Sequence, residues 1–64
     1  MNYIERMQDE KEELEIKIAK MDVFMSKYAS TLTVEERILM YHQRQVMKEY
    51  IRVLEDRIKF AESK

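Results

Sequence analysis

The chain has neither a glycine nor a proline in its 64 residues. This absence constrains the fold more than any motif does. Two-residue primed hairpin turns depend on residues that take positive φ freely, so a β-meander is disfavoured. A glycine-rich loop that cradles phosphate is excluded on the same ground. What remains is a chain of good helix formers (Ala, Leu, Met, Glu, Lys, Arg, Gln) that nothing breaks before about Ala29. Cysteine is absent too, which removes disulfide staples and thiolate metal sites.

Periodicity fills in the helices. Ile4, Lys11, Ile18 and Met25 recur every seven residues, and Met7, Leu14, Met21 and Tyr28 follow three residues later. The two sets form the 3-4 alternation of a coiled-coil-like seam. Lys11 is its one charged member, and its stem can lie on the seam while the ammonium reaches water. The spacing predicts a first helix over about 2–28 and a turn over 29–33. Thr33-Val34-Glu35-Glu36 fits a capping box that starts a second helix over about 34–62. The first helix lacks the usual glycine past its end, so one continuous bent helix is the alternative. The second helix has its own seam of Met40, Met47, Ile51, Leu54, Ile58 and Ala61. Beside it runs another row, Leu39, Val46, Tyr50, Val53 and Phe60, and the first helix has a separate patch of Ile16, Ala19 and Val23.

The expected fold class is therefore all-α, a single domain over 1–64 built as an antiparallel helical hairpin. A seam between two helices buries too little for a chain this short, and both helices carry apolar surface to spare. We therefore expect a homo-oligomeric helical bundle. A dimer would give four helices, and the Ile16 patch leaves a trimer or hexamer open. The six methionines suit either a loosely specified core or an adaptable binding surface.

Chemistry finds little footing. His42 is the sole histidine, and Ser26, Ser30 and Ser63 lie near helix ends with no base at a telling spacing. No nucleophilic constellation can be assembled, so the chain is expected not to be an enzyme. No Glu-x-x-His pair marks a di-iron bundle, and neither metal nor cofactor is expected. Lys plus Arg total 12 against 13 for Asp plus Glu, which lacks the basic excess of a nucleic-acid binder. The apolar runs are too short to span a membrane. The N-terminus lacks the basic start and apolar run of a secretory signal, so the expected location is the cytoplasm.

The candidate site lies in polar residues set into the apolar half of the second helix. Gln43, Tyr50 and Arg57 recur every seven residues along one line. They could serve interhelical hydrogen bonds, with Arg57 held by a carboxylate of the first helix and Gln43 bonded across a subunit contact. Alternatively, the hairpin brings Tyr3, Arg6, Glu10, Tyr50 and Arg57 toward its open end. Two guanidiniums and aromatic rings suit a phosphate joined to a stackable base, with Glu10 orienting an arginine or meeting a sugar hydroxyl.

Arg6-Met7, Glu10, Glu13-Leu14, Lys17, Met21 and Phe24, followed by Leu39-Met40, Gln43, Met47, Tyr50, Leu54 and Arg57-Ile58, carry a resemblance. The pattern resembles that of a family of short phage- and prophage-encoded helical proteins, including relatives of a crAss-like phage protein, over nearly the whole chain. The resemblance implies a phage setting, with the host cytoplasm as the place of action. The chain is also similar, in size and helical character, to short phage proteins whose oligomers sequester cyclic nucleotide signals. The expectation is an oligomeric counter-defence protein that captures a small anionic, nucleotide-type signal. The alternative is a coiled-coil-like module that binds and inhibits or scaffolds a host or phage protein.

Overall fold

A computed structural model describes residues 2–64 and runs α1 (Tyr3–Tyr28), a 3-10 turn (Ala29–Thr31) and α2 (Val34–Glu62). Met1, part of the expected 1–64 domain, lies outside the described residues. The first helix starts one residue later than expected because Asn2 is its cap. Asn2 is extended, and its side-chain oxygen accepts the Glu5 amide at 2.9 Å. Glu5 in the first turn and Lys27 in the last complement the helix dipole.

The reversal is made without a single positive-φ residue among the described ones. The last turn of α1 tightens into the 3-10 segment, where Thr31 Oγ1 donates to the Tyr28 carbonyl at 2.7 Å. Leu32 and Thr33 are then extended and turn the chain back. Thr33 closes the expected capping box: the Glu36 amide donates to Thr33 Oγ1 and the Thr33 amide to Glu36 Oε1, both at 3.1 Å. The first bond orders the start of α2, and the second satisfies a donor that would otherwise be orphaned. This break rules out the continuous bent helix.

The helices pack antiparallel, since partners on α2 fall in reverse order along α1. Glu10 meets Tyr50, and Asp22 meets Arg44 nearer the turn. The core sits toward the open end, where Met7, Leu54 and Ile58 are buried and Ile4, Leu14 and Ala61 pack against them. Every expected seam position of α2 is buried or half-buried. On α1 the exception is Tyr28, which is exposed and lies against Phe24 with ring centroids 5.0 Å apart. The helix ends at Tyr28, and Ala29 and Leu32 are half-buried at that end of the hairpin instead.

The second row of α2 stays outside. Leu39, Val46, Val53 and Phe60 are 67%, 49%, 52% and 65% exposed. Ile16, Ala19 and Val23 of α1 are also exposed. None of the described helices is long and apolar enough to cross a membrane.

Candidate functional site

The helical repeat puts the second row of α2 and the α1 row of Tyr3, Glu10, Lys17 and Phe24 on the same face of the hairpin. Each position in them precedes a seam residue by one: Tyr3 before Ile4 and Glu10 before Lys11 on α1, Val46 before Met47 and Val53 before Leu54 on α2. One residue is about 100° of helix rotation. Because the helices are antiparallel, equal rotations away from the shared seam bring both rows to one side. The Tyr50 hydroxyl donating to Glu10 Oε1 joins the rows directly. The Glu10 carboxylate that accepts this hydrogen bond holds the Tyr50 phenol above its ordinary value of 10.0, desolvation adding to the effect and Arg57 opposing it.

At the open end this face forms a groove of about 420 Å³ lined by Tyr3, Met7, Val53, Arg57, Phe60 and Lys64, among others. Met7 forms part of the buried core, and the other five are exposed. The Lys64 ammonium sits 4.7 Å from the centroid of the Phe60 ring, a cation–π distance. Among the described residues, Arg57 makes no ion pair and no side-chain hydrogen bond. Two aromatic rings, two cations and one carboxylate, Asp56, thus border one open groove.

The structure brings Tyr3 to Arg57 and Tyr50 to Glu10. Glu10 holds a phenol there, not an arginine. Arg6 is exposed and does not line the Tyr3–Arg57 groove. Gln43 lies fourteen residues before Arg57, about 21 Å along α2, too far to join the same groove within one chain. Phe60 and Lys64 belong to the groove and escaped the sequence reading. Phe60 read only as part of an apolar row, and Lys64 lies beyond the end of α2.

The interhelical charge pair is also not the expected one. Arg44 Nε and Nη2 donate to the two carboxylate oxygens of Asp22 at 2.6 and 3.2 Å, a bidentate clasp. That bond lowers the Asp22 pKa and raises that of Arg44. An arginine four residues after Met40 and three before Met47 was the available signal, since a cation on a seam needs a carboxylate at the matching level. The clasp borders a larger groove near the turn, about 660 Å³, with Val34, Ile38 and Tyr41 on its rim. One of its two arginines, Arg44, is neutralised by Asp22, whereas Arg37 makes no ion pair among the described residues. No group of three or more His, Cys, Asp or Glu suited to a metal ion occurs among the described residues.

An all-α helical hairpin with an open, cation-bearing aromatic groove is the class of protein that this fold and site define. Within that class, the chain belongs to the Sequestin family, which it matches over residues 1–60. No curated protein matches it. No solved structure matches it either.

Proposed function

We propose that this protein sequesters a small anionic ligand of the nucleotide type, acting as a homo-oligomer and without turning the ligand over. The observation that carries the reading is Arg57, a guanidinium with no ion pair among the described residues, on a groove that offers the Tyr3 and Phe60 rings and the Lys64 ammonium against a single carboxylate, Asp56. A guanidinium fork matches a phosphate, and an aromatic face accepts any base. Tyr50 and Glu10 form the groove's polar neighbours, while Arg6 and Gln43 contribute only if a second copy approaches. Membership of a family named for sequestering supports capture as the role. The resemblance to phage-encoded proteins supports a counter-defence setting in which the ligand is a host immune signal.

Titration calorimetry of the full chain against a panel of cyclic and linear nucleotides tests the reading. At least one should bind, and Arg57→Ala should weaken it by about tenfold or more, the scale of one charge-assisted contact. Failure of every nucleotide to bind, or unchanged binding by a folded Arg57→Ala variant, refutes it. The exposed Leu39, Val46, Val53 and Phe60 favour a second reading, docking of a host or phage protein. A stoichiometric protein partner with no nucleotide bound would select that one.

A further inference from the structure

We infer that the face carrying the extra rows is where a second copy packs, antiparallel and twofold-symmetric, and that each ligand groove is completed by Gln43 of the opposite copy. The ligand part rests on the function proposed above, whereas the pairing does not.

The exposed area sets the scale. The chain exposes 5261 Å² at a mass of 7.9 kDa. A compact monomer of that mass exposes about 4,400 Å². The excess, roughly 850 Å², is close to the ~800 Å² per partner that a standard interface covers. The one-residue offset supplies the direction. An outer row about 100° from the hairpin seam is what a helix in a square four-helix bundle needs to meet a second neighbour.

The rows are self-complementary. On α2 the positions are Leu39, Val46, Val53 and Phe60; on α1 they are Tyr3, Glu10, Lys17 and Phe24. The midpoint of the first row falls between Glu49 and Tyr50, that of the second between Glu13 and Leu14. The Glu10–Tyr50 bond and the Asp22–Arg44 clasp lie on either side of a register that sets these two midpoints level. One twofold axis, lying in the interface and perpendicular to the helices, therefore serves both rows. It sets Val46 against the partner's Val53, Leu39 against the partner's Phe60, and Glu10 against the partner's Lys17. The other twofold, parallel to the helices, would set α1 over the partner's α2 and bury Glu10 and Lys17 against valines. Unpaired buried charge makes that pairing costly.

The antiparallel axis also accounts for the polar line. Gln43 and Arg57 lie seven residues on either side of Tyr50, so each Arg57 comes level with the partner's Gln43. Two equivalent grooves result, one at each end of the bundle, each walled on one side by Phe60 packed on the partner's Leu39 and open to the ligand at Tyr3, Arg57 and Lys64.

Light scattering on the full chain should give twice the mass of one chain, and a monomer overturns the pairing. The chain lacks cysteine, so single cysteines report the geometry directly. Under mild oxidation Tyr50→Cys should cross-link to itself. Leu39→Cys and Phe60→Cys should not do so alone but should cross-link when mixed. Self-linking of Leu39→Cys, or linking of Leu39→Cys to Phe24→Cys in place of Phe60→Cys, overturns the antiparallel arrangement. Gln43→Ala should leave the dimer intact and weaken nucleotide capture about tenfold; unchanged capture removes Gln43 from the groove. A dimer with these cross-links that binds no nucleotide supports the pairing and refutes the ligand reading alone.

Discussion

Leu54→Ala is the sharpest test of the hairpin. Among the described residues Leu54 is the one side chain with 0% exposure, and it clusters with Met7 and Ile58, the other two buried residues. Burying a leucine is worth about 1.5–3 kcal/mol in transfer alone. The cavity left by truncation adds to this, because two long helices held along one seam collapse only partly around it, and the usual total is about 2–5 kcal/mol. We expect a loss of about 3 kcal/mol. A chain of this length has only about 3–10 kcal/mol in all, so the variant should stand at the edge of unfolding. Urea titration followed by circular dichroism at 222 nm measures it. With a slope near 1 kcal/mol per molar, the midpoint should fall by about 3 M. Protein concentration must be held fixed, since association would add to the apparent stability. Leu39→Ala is the matched control, with the same atoms deleted from a side chain 67% exposed. In dilute protein it should stay within about 0.5 kcal/mol of the parent. A loss below about 1 kcal/mol for Leu54→Ala would mean that the seam is not the centre of the fold, and would refute the register on which the groove depends.

Two further predictions concern pH. Asp22 and Glu36 are held below their ordinary values of 3.8 and 4.5, the first by the Arg44 bond and the second by the Thr33 bonds. A carboxylate with a lowered folded pKa stabilises fully above its unfolded value and loses that contribution as pH falls through the folded one. Thermal melts should therefore drop from pH 5 downward, and Asp22→Asn should flatten part of the drop; an acid slope identical in the variant would count against the clasp. Tyr50 behaves in the opposite sense: its pKa is raised, so its contribution is present below about pH 10 and lost as pH rises through the folded value. Ultraviolet titration of the tyrosines should show one ionising late, and Glu10→Gln should bring it back toward the others. No change in that titration would remove the Glu10–Tyr50 bond from the site.

Much of the hairpin was legible because its signals are local. The capping box at Thr33 and Glu36 fixes where α2 begins through bonds three residues apart. The seam from Met40 to Ala61 follows from 3.6 residues per turn, and each of its positions is buried or half-buried. Tyr28 broke the pattern because periodicity says nothing about the turn at which a helix stops. Of the candidate site residues, Tyr3 and Arg57 line one groove and Glu10 meets Tyr50, whereas Arg6 lies outside that groove, which Phe60 and Lys64 also line.

What the sequence determined by itself is thus the pair of helices, their caps and the face each buries, all matters of spacing along one chain. The tertiary structure decided which side chains of α1 meet which of α2. That depends on how far the helices slide past each other, and the slide is set by the 3-10 turn and the extended Leu32 and Thr33, not by either helix's repeat. A slip of two residues moves a partner about 3 Å along the axis and more than half a turn around it. Such a slip would have left Arg44 without Asp22 and Tyr50 without Glu10. Only the folded hairpin shows that Arg44 is clasped by Asp22 while Arg57 makes no ion pair among the described residues.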